Sequence, residues 1–345
     1  MVRKVMSLIM VLVIVLSTAG CAAKPAATAT PQPVKKWSIV QIQPQPKGTP
    51  FPELVYSGLV RLQKEFGADK VEIKIIETLD KGEYAEQVRA AAEMGYNPIV
   101  TLYDDLAKVV LEIAPSFPNT QFVAVDTLVT SSVPNVVTVV IDPHESSFLA
   151  GIVAAKSTKT KKVGFVGSTE NPVIWRFCAG FSAGVKYANV PGVEQITVWS
   201  GTSTDPVKGL EVATSVFKQG ADIIMHACNK CGLGVIQAAQ QEGKQAIGVD
   251  MWQGDVAPGH VMWSALKDAG TACYEAAKKG MELPFETGLY YYDRAAGATL
   301  YDKRDYDAIP ADLQKLVQET EDKIVKKTIM VPTTKEELEV FKDHL

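Results

Sequence analysis

Residues 222–250 read DIIMHACNKCGLGVIQAAQQEGKQAIGVD, and the class of fold follows from this stretch. The apolar run Asp222–Ala227 predicts a strand, Gly232–Glu242 predicts an amphipathic helix, and Gln245–Val249 predicts a second strand. Strands that alternate with helices form parallel sheets, because each helix carries the chain back to the start of the next strand. The stretch therefore predicts an α/β unit.

The same alternation continues on both sides of this unit. Before it, the sequence predicts strands at residues 37–42, 71–77, 99–102, 122–125, 136–141, 162–166 and 195–199, and helices at 52–66, 83–94, 105–114, 145–156, 174–188 and 206–219. After it come a strand at 260–267, a helix at 269–279, a β-like stretch at 288–292 and a charged helix at 311–326. This pattern predicts two doubly wound α/β lobes.

The lobe boundaries follow from the same pattern. The pieces after residue 250 are too few for a third lobe, so we expect them to cross between the first two. Lobe I is predicted to contain residues 36–142 plus about 255–287, and lobe II residues 143–254 plus about 288–345. Open α/β sheets bind ligands at the carboxyl ends of their strands, which makes a cleft between the lobes the expected site.

The N-terminal segment has the order of an export signal. Arg3 and Lys4 precede an apolar run, residues 5–17, which is followed by the small residues 18–20. The run is shorter than the roughly 20 residues that span a bilayer, so no membrane-spanning helix is predicted for the processed chain.

Gly20-Cys21 resembles the lipobox of bacterial lipoproteins, although Thr18 stands where these proteins prefer Leu. The resemblance implies a signal peptide at 1–20, acylation of Cys21, and a flexible Ala/Thr/Pro-rich tether over 21–35. We therefore expect an extracytoplasmic protein held at a membrane by its lipid anchor. The alternative is a plain signal with a buried Cys21.

Composition excludes several classes of protein. The 345 residues are 47% hydrophobic and 21% charged, which is too well mixed for a disordered or fibrous chain. The formal net charge of −4 gives no electrostatic footprint for nucleic acid. The glycines do not assemble a dinucleotide fingerprint, and the chain contains no Walker A sequence, so no cofactor is expected and nucleotide hydrolysis must come from a partner.

One pattern is typical of hydrolases. Gly180-Phe-Ser-Ala-Gly184 fits G-x-S-x-G, and Asp250 and His260 follow in the order of a catalytic triad. The nucleophile of that motif needs a strained turn directly after a strand, whereas Ser182 falls in the middle of a predicted helix. We therefore expect no enzyme, and predict that the glycines let this helix pack close to a neighbour.

The cysteines leave alternatives open. Cys228 and Cys231 form a C-x-x-C pattern between a strand and a helix, where a helix N-terminus lowers thiol pKa values. Export to an oxidising compartment favours a disulfide between them. The alternatives are a pair of free thiols, a redox site, or a metal site that includes His226. Cys178 and Cys273 are expected to be small buried apolar residues.

An ordered set of short motifs resembles the basic membrane protein family, the lipoproteins that serve as nucleoside-binding receptors of ABC importers. The motifs include Phe122–Asp126, Ser147–Gly151, Lys162–Gly167, Asn171–Phe177, Gln219–Asp222, Gly232–Gly234 and Ile247–Asp250. The resemblance implies the type I periplasmic-binding-protein fold, with two Rossmann-like lobes joined by three crossovers. It also implies a small-molecule ligand and, as partners, a permease with its cytoplasmic ATPase; we expect a monomer. A ligand sensor not coupled to transport is an alternative.

The resemblance also implies four ligand-binding residues. Phe51 matches the aromatic that stacks on the nucleobase, and Asp126 matches an acid at a strand end of the first lobe. Asp250 matches a carboxylate that accepts hydrogen bonds from ribose hydroxyls, and Lys267 matches a basic residue that closes the site. The alternative roles are structural, such as helix packing for Phe51 and a turn or cap for either aspartate.

Three further residues are candidates. Asn229 lies in the turn that faces the cleft in the family, while Trp175 and Trp252 stand where the family often has charged residues. The loop at residues 43–48 lacks the Asp that the family usually has before the aromatic, and Pro52 follows Phe51 in place of the usual Asn, so two polar groups are missing. We therefore expect a more aromatic cleft than usual, with a purine nucleoside or base, another polar heterocycle, or a sugar as ligand.

Overall fold

Two parallel sheets organise the computed structural model, which describes residues 36–281 and 288–342. The strands are β1 Trp37–Gln43, β2 Val71–Glu77, β3 Ile99–Leu102, β4 Phe122–Val125, β5 Val136–Ile141, β6 Lys162–Gly167, β7 Glu194–Trp199, β8 Ile223–Ala227, β9 Gln245–Asp250, β10 Val261–Leu266 and β11 Gly288–Tyr292. The helices are α1 Pro50–Phe66, α2 Tyr84–Glu93, α3 Tyr103–Ile113, α4 His144–Ser157, α5 Pro172–Tyr187, α6 Pro206–Lys218, α7 Cys231–Gln241, α8 Ala269–Met281, α9 Lys303–Ala308, α10 Ala311–Val325 and α11 Lys335–Val340. The predicted signal peptide, Cys21 and tether lie outside the described residues.

Lobe I contains a six-stranded sheet in the order β11-β5-β4-β3-β1-β2, with every pair parallel. Helices α1 and α8 cover one face, and α2 and α3 cover the other. Strands β3, β4 and β5 are buried along their whole length, as continuous apolar runs must be when helices lie on both faces.

Lobe II repeats this arrangement with five parallel strands in the order β10-β9-β8-β6-β7. Helices α4, α5 and α10 lie on one face, and α6 and α7 on the other. Within each lobe the first strand lies between the second and the third, so the direction of winding reverses there. Open sheets bind ligands beside such a reversal, and the structure confirms the predicted pair of doubly wound lobes.

Three crossovers join the lobes. The chain passes from β5 to α4, returns from β10 to α8, and crosses again after β11 to reach Leu300, whose carbonyl accepts a hydrogen bond from Leu266. The predicted assignment of the last two strands to lobes was wrong: β10 pairs with β9 in lobe II, and β11 pairs with β5 in lobe I. The strand pattern could not settle this, because each sheet offers a free edge to a returning strand.

Close contact between α4 and α5 depends on glycine. A β-carbon at Gly184 would lie 2.0 Å from the carbonyl oxygen of Phe148, and one at Gly180 would lie 2.2 Å from that of His144. Ser182 lies in the middle of α5, where its hydroxyl accepts a hydrogen bond from Gln195. The predicted packing role of the glycines is confirmed, and the serine is not on the turn that a hydrolase nucleophile needs.

We predict that Gly184→Ala destabilises the protein by about 2 kcal/mol, because two backbones would have to separate. Urea unfolding would measure the loss. Gly82→Ala is the matched control, since its new β-carbon would meet only the tip of the Asp80 side chain, at 3.3 Å. Equal unfolding midpoints for Gly184→Ala and the unmodified protein would contradict the packing account.

In the ranges that the structure covers, no helix combines the length and the apolar character that a membrane crossing requires.

Candidate functional site

A cavity of about 550 Å³ lies between the lobes at the carboxyl ends of their strands. Lobe I contributes Phe51 and Tyr103, and lobe II contributes Phe177 and Asn229. Lys267, on the crossover from β10 to α8, lies between these two walls. The size falls within the roughly 300–1,000 Å³ that is common for small-molecule sites.

Four residues at strand ends turn their side chains into this cavity through an uncommon backbone conformation. Tyr103 follows β3, Asp126 follows β4, Asn229 follows β8, and Asp250 ends β9; their φ angles are 70°, 60°, 52° and 69°. The left-handed region costs a non-glycine residue about 1–2 kcal/mol. All four line the cavity, and strain of this kind is often concentrated at functional sites.

A buried ammonium group pairs with one carboxylate and acts electrostatically on a second, that of Asp250. Lys267 Nζ is 2.5 Å from Asp126 Oδ1, with only 2% of the lysine side chain and 8% of the aspartate side chain exposed. The backbone N–H of Lys267 donates to the carbonyl of Asp250, 3.0 Å away. Asp126 belongs to lobe I and Asp250 to lobe II, so Lys267 links both lobes at the cavity.

Burial dominates the chemistry of Asp250. The pKa of the carboxyl is raised to about 7: burial is the largest cause, Lys267 opposes the shift, and the neighbouring Asp126 adds to it. A carboxyl with this pKa is poised between its charged and neutral forms at neutral pH. Hydrogen-bond donors from a ligand would favour the charged form.

The same shift predicts a pH-dependent stability difference for Asp250→Asn. Because the folded-state pKa is raised, Asp250 binds its proton more tightly in the folded than in the unfolded chain, and its contribution to stability falls as pH rises from about 4 to about 7. An amide removes that fall. We expect the variant without ligand to be more stable than the unmodified protein by about 1–2 kcal/mol at pH 8, with the gap closing by pH 4. Urea unfolding at both pH values checks this, and a gap independent of pH would contradict it.

Aromatic rings form the other part of the cavity wall. Phe51 stacks on Tyr103 with ring centroids 5.7 Å apart and 29° between the planes. Lys267 Nζ lies 4.8 Å from the centre of Phe51 and 5.5 Å from the centre of Phe177. The Tyr103 hydroxyl donates to Gln45 Oε1 over 2.9 Å, which fixes the ring. Planar apolar faces therefore lie next to the charged groups.

Five of the seven predicted binding residues line this cavity: Phe51, Asp126, Asn229, Asp250 and Lys267. Sequence reasoning missed Tyr103 and Phe177. Tyr103 directly follows a correctly predicted strand. Its position at the carboxyl end of that strand could have identified it as a candidate binding residue.

The two tryptophans do not line the cavity, and their assignment to it is corrected. Trp175 Nε1 donates to Glu170, and its ring packs 5.5 Å from that of Trp199. Trp252 Nε1 donates to Asp305 over 3.0 Å, with the Arg304 guanidinium 3.5 Å above its ring. Helix α5 directs Phe177 rather than Trp175 toward the cavity, since residues two apart point to different sides of a helix.

The cysteine pair lies beside the cavity. Cys228 and Cys231 are both free thiols, their side chains are hydrogen-bonded to each other, and Cys228 lines the cavity. The imidazole of His226 is bonded to Gln253, 2.9 Å away, and burial lowers the pKa of His226 to about 4. Among residues 36–281 and 288–342, no group of three His, Cys, Asp or Glu side chains could hold a metal ion. Within these ranges the structure therefore gives no support to a metal site at Cys228 and Cys231.

A second cavity, of about 670 Å³, lies at the crossovers. Its wall includes Asp142, His144, Glu145 and Arg176. Arg176 of α5 forms an ion pair with Asp142, the residue after β5, so this contact also links the two lobes. The second cavity therefore lies at the hinge and not at the strand ends that form the cleft.

Comparisons with known proteins agree with this architecture. The family model described as ABC transporter substrate-binding protein PnrA-like matches residues 40–335. Basic membrane protein A of Borreliella burgdorferi is 31% identical over 300 residues, which cover 84% of this chain and 86% of that protein. Basic membrane protein A2 of Borrelia garinii is 30% identical over 297 residues, with 84% and 86% covered.

Solved structures share the fold. A solute-binding protein of an ABC transporter system from Aeropyrum pernix K1 superposes with a TM-score of 0.78 at 22% identity, covering 88% of this chain and 95% of that one. A transcriptional activator of the comK gene from Bacillus halodurans gives 0.72 at 20% identity, with 85% and 99% covered. At these identities the likeness establishes the type I periplasmic-binding-protein fold and not the ligand.

The family assignment rests on the sequence matches. Substrate-binding proteins of ABC importers work outside the cytoplasm, where they bind a small molecule and deliver it to a permease with its ATPase. The family model and the relatives at 30% identity or more both extend over most of the chain. The protein belongs to the Bmp family of PnrA-like ABC transporter substrate-binding proteins.

Proposed function

We propose that this protein is a lipid-anchored receptor that captures a purine nucleoside, or a closely related heterocycle, between its lobes and passes it unchanged to an ABC importer. One observation carries the proposal: the stacked pair Phe51 and Tyr103 shares a cavity with the group formed by Asp126, Lys267 and Asp250. A nucleoside has the matching halves, a flat base and a hydroxyl-bearing sugar.

Each half of such a ligand has a physical reason to bind. A purine placed against the aromatic wall buries apolar area on rings that lose little entropy. The ribose hydroxyls can donate to Asp250, and a carboxylate accepts such bonds through either oxygen. Both lobes would contact the ligand, so binding would favour the closed arrangement through differential contacts.

A thermal-shift panel tests the ligand class. The purified protein is heated with adenosine, guanosine, inosine, uridine, adenine, ribose or glucose, and a compound at a hundred times its dissociation constant adds about 2.7 kcal/mol of stability. We expect the purine nucleosides to give the largest increases in melting temperature. Increases with sugars alone, or with none of these compounds, would contradict the proposal.

Phe51→Leu tests whether the base stacks on Phe51, because leucine keeps apolar bulk and removes the flat aromatic face. We expect this variant to melt at a lower temperature, because Phe51 is 3% exposed and packs in the core of lobe I. Measured from its own melting temperature, it should lose most of the increase caused by purine nucleosides. A full increase in the variant would show that the base does not stack on Phe51.

The lipid anchor is proposed on the sequence of the N-terminal segment alone. Acylation at Cys21 would place the protein in the membrane fraction of a bacterial host and add fatty-acyl mass to the N-terminal peptide. Cys21→Ser should abolish both effects. Membrane association of the serine variant, with no added mass on the unmodified protein, would exclude the anchor.

A further inference from the structure

Cys228 and Cys231 stand apart from the other cysteines of the described ranges. They lie where β8 ends and α7 begins, and their side chains are hydrogen-bonded to each other. Cys231 Sγ also donates to Ser200 Oγ over 3.5 Å. Both residues are at most 1% exposed, but Cys228 forms part of the wall of the interlobe cavity. A vicinal dithiol therefore borders the cleft in which we place the solute.

The two cysteines differ in how firmly they are held. Cys231 begins an eleven-residue helix, and its N–H donates to the carbonyl of Ser203 over 3.2 Å. A β-carbon at Gly209 would lie 2.0 Å from the carbonyl oxygen of Cys231, so α6 packs directly against the backbone of this residue. Displacement would therefore fall on Cys228 and on Asn229, which follows it.

Asn229 connects the dithiol to the solute. It has a left-handed φ of 52°, it is one of the residues that line the cavity, and its Oδ1 is buried without a hydrogen-bond partner. An unpaired buried acceptor in a cavity wall is well placed to accept a bond from a solute N–H or O–H. A shift of about an ångström would lengthen such a bond beyond useful range.

We propose that Cys228 and Cys231 form a reversible disulfide whose closure displaces Asn229 and weakens solute binding in the cleft. This inference rests on the proposed function, since it concerns the same cavity. Two non-bonded sulfurs must approach to about 2.05 Å when the disulfide forms, and the fixed position of Cys231 directs that movement to the cavity wall.

A peroxide is the class of oxidant that suits this site, because it is scarcely larger than water and can enter through the cleft. The Cys231 thiolate attacks one peroxide oxygen, the O–O bond breaks, and hydroxide leaves and takes up a proton. The Cys228 sulfur then attacks the resulting sulfenic acid, which expels its hydroxyl as a second water. Two thiols and one hydrogen peroxide give one disulfide and two waters, with two electrons passing from sulfur to oxygen.

Selectivity for this pair has a physical basis. The hydrogen bond from Cys228 lowers the pKa of the Cys231 thiol to about 7, while burial raises the pKa of Cys178 to about 11 and that of Cys273 to about 12. Reactivity follows the thiolate fraction. Cys178 and Cys273 should therefore remain thiols under mild oxidation.

The test compares the full chain before and after stoichiometric hydrogen peroxide. We expect a loss of two hydrogens, mapped by mass spectrometry to the peptide that contains Cys228 and Cys231, and its reversal by dithiothreitol. Calorimetric titration should show inosine binding about tenfold more weakly to the oxidised form. By linkage, saturating inosine should raise the reduction potential by about 30 mV.

Two variants distinguish the effect of oxidising Cys228 and Cys231 from the effect of oxidation elsewhere in the protein. Cys231→Ala removes the bond partner, so inosine affinity should no longer respond to peroxide. The double variant Cys178→Ala with Cys273→Ala keeps the pair and should respond as the unmodified protein does. Absence of the disulfide, equal inosine affinity in both redox forms, or a response that persists in Cys231→Ala would overturn the inference.

Hydrogen exchange distinguishes failure of this inference from failure of the proposed function. If none of adenosine, guanosine and inosine binds either form, the nucleoside proposal fails. The disulfide is then judged by amide exchange in residues 226–232, which should change on oxidation while exchange in residues 206–218 stays constant. No change at 226–232 would overturn the inference whatever the ligand is.

Discussion

Replacing Lys267 by methionine is expected to destabilise the protein by about 3–5 kcal/mol. The ammonium group is buried between the lobes, 2.5 Å from Asp126, and its removal leaves a carboxylate that is 8% exposed without its cation. Methionine keeps the apolar length of the side chain, so the loss reports the charge and not a cavity. Urea unfolding at pH 7 gives the magnitude.

A double-mutant cycle decides whether the pair is the cause. Adding Asp126→Asn to Lys267→Met removes the stranded charge and should recover most of the lost stability. Lys303→Met is the control, because its partner Asp307 is on the exposed surface, where ion pairs contribute little. Losses that simply add in the double variant would contradict the coupling of Lys267 to Asp126.

Asp250→Ala should weaken binding of the preferred purine nucleoside by about 2–3 kcal/mol, or about 30- to 150-fold. The buried carboxylate is the group that we expect to accept the ribose hydroxyls, and truncation leaves those hydroxyls unpaired in the closed cleft. Calorimetric titration measures the change. Asp69→Ala, an exposed aspartate of lobe I, is the control.

The pKa of Asp250 adds a signature that a structural role would not produce. Because ligand donors favour the charged carboxylate, and the free protein has a pKa of about 7 there, binding should release a proton near neutral pH. Affinity should then rise between pH 6 and pH 8 in the unmodified protein and stay constant in Asp250→Ala. A flat profile in both proteins would exclude Asp250 from the ligand.

The fold was largely predictable from the sequence, because strands buried between two helical layers must be continuous apolar runs. The runs at 122–125 and 136–141 were predicted at the bounds that the structure has. The lobe to which each late strand belongs was not predictable. Residues 261–266 and 288–292 each add to a free sheet edge, and nothing in an apolar run distinguishes one edge from another.

The candidate site was predictable where residues sit at strand ends. Asp126 directly follows a correctly predicted strand and Asp250 ends another, and parallel strands bring their carboxyl ends to one edge of a sheet. Inside a helix the direction of a side chain depends on where the first turn begins. Trp175 was therefore misplaced and Phe177 missed, although both lie in the same helix.

The most direct test of the central claim is the structure of the complex with the purine nucleoside that stabilises the protein most. We predict one molecule, chemically unchanged, in the cavity between the lobes, with its base against Phe51 and its ribose hydroxyls on Asp250. A nucleoside bound instead in the hinge cavity beside Arg176, or contacting only one lobe, would contradict the account.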